Sequence, residues 1–161
     1  MWIRRVGTST DAGARLIQSQ HRHLVRELYK KFYPCPAAHR LPSSITRRIA
    51  ALVPPDLGSG LCSVHSLHTT AALTVNENAD PDVQHDLLAK LDALVPQHES
   101  YYRHAEGNSA AHLKSSLMGF SVTVPVRNGR LHLGTWQGIY LCEFDGPRTR
   151  RVVVTFVEAA R

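Results

Sequence analysis

The sequence has few of the features that give a function away. It contains no P-loop, no GxGxxG, no GxSxG and no HExxH, which excludes the common phosphate loops, the nucleophile elbow and the zinc-protease helix. No apolar run approaches the roughly 18 residues of a membrane span. The opening MWIRR is not followed by an apolar stretch, so no signal peptide is expected. Cysteine is scarce: Cys35, Cys62 and Cys142 are odd in number and without CxxC spacing. That excludes a disulfide framework and a cysteine-built zinc site, and it suits a reducing, cytoplasmic location. Internal repeats and low-complexity tracts are also missing.

What is present fits one globular domain. A chain of 161 residues with 43% hydrophobic residues can bury a real core. The net charge of +6 raises nucleic-acid binding as a possibility, but the charge is unevenly spread. Residues 1–50 carry 10 Lys/Arg against 2 Asp/Glu, whereas the remainder carries 9 against 11. The basic excess therefore belongs to the N-terminal segment. The part with the chemistry is mildly acidic, which suits a cation site better than a phosphate-backbone groove, so nucleic acid is not the expected partner.

Residues 1–40 read as an N-terminal extension, with either a helical or a strand pattern around 17–33, and 41–161 as the domain. Thr46 is placed to cap a short helix that Pro54-Pro55 ends. Leu61 to Leu67 and Ala71 to Val75 read as strands. Asp80-Pro81 starts a helix whose stripe is Val83, Leu87, Leu91 and Leu94. That wheel puts Asp86 at the stripe edge, facing a cleft, and His85 outward. A third helix starts at Asn108 or Ser109 and stops before Gly119. Strands follow over 120–126, 130–133, 138–144 and 151–157, with Asn128-Gly129 as a type I′ hairpin turn. The fold class expected is α+β, mainly β: an antiparallel sandwich with three short helices.

Five polar groupings stand out. His68-Thr69-Thr70 lies between two strands, where an imidazole and hydroxyls can bind metal or substrate oxygen, or simply satisfy a turn. Glu77 follows an apolar strand, beside Asn76. Together with Asp86 it could hold a cation or serve acid–base chemistry; the alternative is surface solvation. His104 and His112 flank Asn108, with Glu106, Lys114 and Ser115 nearby, at no standard zinc spacing. Gly134-Thr135-Trp136-Gln137-Gly138 offers a ring to stack and an amide to read an edge, unless the tryptophan is core. Arg148, Arg150 and Arg151 could clamp an anion or lie solvated.

Three stretches in order, HTTAALTVNENADPDVQHD, YYRHAEGNSAAHLKSSLMG and GRLHLGTWQGIYLCEFDGPRTRR, resemble the YjbQ-like family from Ile45 to Phe156. The resemblance implies a β-sandwich assembled as a homotrimer and a secondary thiamine-phosphate synthase activity. That reaction joins hydroxymethylpyrimidine diphosphate to thiazole phosphate with release of pyrophosphate. The family's motif positions fall on His68, Thr69, Thr70, Asn76, Glu77, Asp86, His104, Asn108, His112, Thr135, Trp136 and Gln137. A divalent metal, magnesium or zinc, is then expected on His68, Asp86, His104 and His112. Glu77, Asp86 and His104 become the catalytic candidates. Thr69, Thr70, Asn76, Asn108, Lys114, Trp136 and Gln137 become contacts for a small phosphorylated metabolite. A zinc-type hydrolase and a non-catalytic metabolite-binding trimer stand as alternatives.

Overall fold

The computed structural model describes residues 17–18, 23–32 and 43–159. The elements are β1 (Ile17–Gln18), β2 (His23–Phe32), β3 (Ser43–Ser44), α1 (Thr46–Ala50), β4 (Ser59–Ser66), β5 (Ala71–Glu77), α2 (Pro81–Leu94), α3 (Ser109–Met118), β6 (Ser121–Arg127), β7 (Arg130–Leu131), β8 (Gln137–Glu143) and β9 (Arg148–Glu158). They make two antiparallel sheets, one ordered β1-β2-β9-β4-β6-β7 and the other β3-β8-β5. This is the α+β, strand-dominated architecture expected from the pattern. The ambiguous segment before residue 33 supplies strands rather than a helix: β2 pairs with β9 from His23↔Val157 to Phe32↔Arg148.

The layers follow from side-chain alternation, since successive strand residues face opposite sides. Cys62 and Val64 of β4, Val124 and Val126 of β6, and Val152, Val154 and Phe156 of β9 point from the large sheet into one core. They meet Ala71, Leu73, Ile139 and Leu141 of the small sheet, with Ile45 and Ile49 closing one side. The other face of the small sheet presents Ala72, Tyr140 and Cys142, which with Phe144 pack on Leu91 of α2 and Ala111 of α3. The small sheet is thus the middle layer, covered on both faces. Each fully buried branched or aromatic side chain there contributes roughly 1.5–3 kcal/mol. Burial pushes the thiols of Cys62 and Cys142 up to about 12, so neither is a nucleophile near neutral pH; Cys35 lies outside the described residues. Among the described residues no helix is long and apolar enough to cross a membrane.

Local signals hold in most places. Asn128 and Gly129 both take positive φ, 52° and 68°, as a type I′ turn requires. The Asp80 side chain accepts from Asp82 N at 2.9 Å, and Pro81 occupies the first turn of α2. Two expectations need correction. The N-cap of α1 is Ile45, not Thr46. Thr46 Oγ1 instead accepts from Ile139 N at 2.8 Å, because β8 passes close enough to compete for the hydroxyl. The inward face of α2 is also rotated from the expected stripe. Gln84, Leu87, Leu88 and Leu91 face the small sheet, while Leu94 is exposed. At about 100° per residue, Asp86 lies roughly 200° from Gln84, on the opposite side of the helix. Its side chain is 83% exposed and pairs with His85 Nδ1 at 3.2 Å.

Candidate functional site

The β5–β8 pair has two chemically different ends, and the polar residues of interest divide between them. At one end Ala71 lies opposite Glu143. Here the chain arrives through His68, Thr69 and Thr70 and leaves through Asp145 toward β9. Arg150 is only 4% exposed. Its guanidinium forks onto Glu143, with Nε to Oε2 and Nη2 to Oε1 both at 2.5 Å, and Nη2 also donates to Thr70 Oγ1 at 2.9 Å. A charge so deeply buried persists only when paired and hydrogen-bonded in this way. Asp145 N donates to Glu143 Oε1 at 2.8 Å, and Asp145 Oδ2 accepts from Asn108 Nδ2 at 2.9 Å and is ion-paired with Arg148 Nη2 at 3.0 Å. The network therefore ties the start of β5, the end of β8, the start of β9 and the first residue before α3.

His68 stands on the flank of this network, its Nε2 accepting from Arg151 N at 2.7 Å. Its pKa is held below the ordinary imidazole value, first by burial and then by the positive charges of Arg150 and Arg151, against which Glu143 pulls the other way. Near the start of α3 the rings of His104 and His112 meet edge to face, with centroids 5.3 Å apart. They are held by Gly107 N donating to His104 O and His112 N donating to Asn108 O.

At the opposite end Glu77 lies opposite Gln137. The Tyr140 hydroxyl, buried beneath it, receives Gln84 Nε2 at 2.9 Å and lies 3.0 Å from Glu77 O and 2.6 Å from Asn78 Oδ1. Asn76 Oδ1 accepts from Glu77 N at 2.8 Å. The Gly134–Gln137 turn closes on itself, with Gly134 N to Gln137 Oε1 at 2.8 Å and Gln137 N to Gly134 O at 3.0 Å. Asn78 N adds a bond to Trp136 O at 2.7 Å. A Cβ at Gly138 would stand 2.9 Å from the Asn78 Cβ, so glycine is what lets the two segments meet. Trp136 is 64% exposed, a presented ring rather than a core residue.

The structure thus brings His68, Thr69 and Thr70 to one end with Asn108, beside the His104–His112 pair, and sends Asn76, Glu77, Trp136 and Gln137 to the other. His68 and Glu77 do not share a rim. The seven residues of β5 separate them by roughly 20 Å at strand rise. Thr135 sits exposed in the tryptophan turn. Lys114 is 2% exposed and ion-paired with Asp92 of α2, so its amine joins two helices rather than facing solvent. Asp86 projects from the outer side of α2. Among the described residues no group of three or more His, Cys, Asp or Glu could hold a metal. The set His68, Asp86, His104 and His112 therefore does not fit a metal within one chain.

Glu143, Asp145 and Tyr140 do not stand out as site residues in the sequence, and Arg150 stands there as one of three equivalent arginines. A signal for Arg150 was available. It shares parity along β9 with the inward-facing Val152, Val154 and Phe156, so it had to point toward the protein and to find a carboxylate there. Glu143 had no comparable mark, because β8 is buried on both faces and shows no alternation.

Comparison with known proteins agrees with this architecture. Residues 36–159 match the family model described as UPF0047 protein YjbQ-like. The UPF0047 protein YugU of Bacillus subtilis is 56% identical over 107 residues, covering 66% of this chain and 81% of that protein. A crystal structure of the YugU ortholog from Clostridium acetobutylicum superposes with a TM-score of 0.74 at 44% identity, covering 81% of this chain and 98% of the other. A YbjQ-like protein of unknown function from Sulfolobus solfataricus gives 0.76 at 29% identity, covering 86% and 99%. With three motifs in order, the two-sheet fold and this match over most of its length, the chain belongs to the YjbQ-like UPF0047 family.

Proposed function

We propose that the arginine end of the β5–β8 pair binds the phosphate of a small phosphorylated metabolite in the cytoplasm. The observation that carries this reading is the convergence of Arg150 and Arg151 on the His68–Thr70 turn. Buried Arg150 is rigid, and its field with that of Arg151 outweighs Glu143 at the imidazole. A fixed positive field beside hydroxyl donors stabilises an oxyanion and disfavours a bound cation. The reaction that the family resemblance offers, thiamine-phosphate synthesis, has two phosphorylated substrates and a pyrophosphate leaving group. It is the first activity to assay.

The division of motif residues between two ends supports a homotrimer in which the arginine end of one copy meets the tryptophan end of the next. Trp136 and Gln137 would then stack on and read the ring of a ligand whose phosphate sits on the neighbour. A divalent metal, magnesium or zinc, belongs to this reading only between copies, where His104 and His112 would supply two nitrogen donors; no step is assigned to it. The zinc-hydrolase alternative is weaker, since its donors are not gathered in one chain.

The test joins thermal-shift titrations with inorganic phosphate, pyrophosphate and both thiamine precursors to elemental analysis and sizing of wild type and His112→Ala. Stabilisation by phosphorylated probes with turnover of the precursors supports the synthase reading. Stabilisation without turnover leaves the binding trimer. No stabilisation by any phosphorylated probe removes the phosphate site.

A further inference from the structure

The turn between β4 and β5 leaves a main-chain donor of β9 without its usual partner. β4 pairs with β9 as far as Ser66↔Val152. One residue on, Leu67 N still donates to Arg151 O at 3.2 Å. In a regular antiparallel pair the return bond would run from Arg151 N to the Leu67 carbonyl. Here it runs to His68 Nε2, at 2.7 Å. The imidazole takes the place of a ladder carbonyl, so the sheet continues one rung past the end of the strand.

This contact fixes the chemistry of the ring. A backbone N–H can only donate, so Nε2 must accept and carries no proton. Which imidazole nitrogen holds the proton is set by the bond that the other makes, so the neutral ring keeps its proton on Nδ1. Burial and the two neighbouring arginines favour that neutral form. Among the described residues Nδ1 has no hydrogen-bond partner. The ring is partly exposed and its neighbour Thr69 is exposed. Two consequences follow. Nε2 is committed to the fold, and Nδ1 is a donor rather than a lone pair available to a metal.

We propose that His68 is an oxyanion-binding donor of the site and not a metal ligand, its Nδ1–H reaching a phosphate or carboxylate oxygen of the ligand while Nε2 holds β9. The inference rests on the phosphorylated-ligand reading above and specifies the chemistry of its first contact. Any ligand it recognises must offer an acceptor at this point; an ammonium or a coordinated cation could not use it.

The test is two-bond ¹H–¹⁵N spectroscopy of the histidines in the full-length protein at pH 7.5, with His68 assigned by the signal lost in His68→Gln. The expected pattern is the Nδ1–H tautomer, with its ring signals moving on titration of inorganic phosphate. The glutamine amide oxygen can reproduce the Nε2 acceptor but not the Nδ1 donor. His68→Gln should therefore keep its melting temperature and lose phosphate affinity by about tenfold, the scale of one charge-assisted hydrogen bond. His68→Asn, too short to reach Arg151, should also lower the melting temperature. An Nε2–H tautomer overturns the inference, as does zinc that shifts the His68 nitrogens at stoichiometric amounts. Phosphate binding that leaves His68 unmoved overturns it with the phosphate site intact. If wild type binds no phosphate, the site itself fails and the anion role fails with it, while the spectrum still decides the tautomer.

Discussion

The two ends of the β5–β8 pair solve different problems. At the arginine end a full charge is buried, and polar groups are recruited to it: Glu143, Thr70 and, through Glu143, the backbone of Asp145. At the tryptophan end the groups that make the hydrogen bonds are neutral. A phenol, amides and backbone atoms hold a turn whose most conspicuous side chain, Trp136, is left to solvent. Desolvating an ion costs several kcal/mol before pairing, whereas desolvating an amide or phenol costs less. Rigidity at the first end is therefore a condition of folding. Rigidity at the second holds an exposed ring, a group that adds little to folding. The contrast separates residues whose loss unfolds the protein from residues whose loss should affect only what it binds.

The largest effect should come from Arg150→Ala. Removing the guanidinium leaves Glu143 charged and largely buried without its partner, a loss of about 3–5 kcal/mol in urea denaturation. Arg150→Lys should recover only part of this, because an ammonium cannot make the forked contact to both carboxylate oxygens. A loss under about 1 kcal/mol would mean that water reaches the pair and that the arginine end is not the locked element described. At the other end Tyr140→Phe should cost less, about 1–3 kcal/mol, since it strands the Gln84 amide and removes the donor to Asn78 or Glu77 while keeping the ring in its core. If the two variants were equally destabilising, the distinction between charged and neutral ends would collapse.

This contrast was only partly legible in the sequence. The sheets, the I′ turn and the Asp80-Pro81 helix start could be read because each rests on local rules: alternation, positive φ and capping. The orientation of α2 could not. Its stripe was read from Val83 and Leu94, but the polar Gln84 faces inward to reach Tyr140, a contact 56 residues away. One misread polar residue turned Asp86 from solvent to cleft. The site was misassembled for a related reason. HTTAALTVNENADPDVQHD is contiguous in sequence, and contiguity suggested a single wall. A strand in the middle of that stretch instead carries its two polar ends apart. Lys114 had no local sign of burial, because its partner Asp92 belongs to another helix.

The next effect is one of pH and belongs to the arginine end alone. The folded-state pKa of His68 lies below its unfolded value. As pH falls below about 6.5 the unfolded chain takes up the proton first, so stability present above that value is lost as pH falls through the folded pKa. Protonation would also set an Nε2–H against the Arg151 N–H. Melting temperatures from pH 8 to pH 5 should therefore fall more steeply for wild type than for His68→Gln. Parallel curves would show that His68 does not sense this environment.

The smallest effect on stability should be Trp136→Ala. A ring 64% exposed loses little buried area when truncated, and the turn beneath it is held by the Gln137 side chain and by main-chain atoms that the substitution leaves in place. Unfolding free energy should move by no more than about 0.5 kcal/mol, as for surface substitutions generally. Stacking and interface anchoring, by contrast, are worth more for tryptophan than for most residues. The informative comparison is thus between two measurements on one variant. If ligand affinity or trimer assembly falls while stability holds, the tryptophan end is the part of the molecule that receives a ligand ring or a neighbouring copy. If stability falls and binding holds, Trp136 is a structural residue after all, and the two ends differ only in how they are held together.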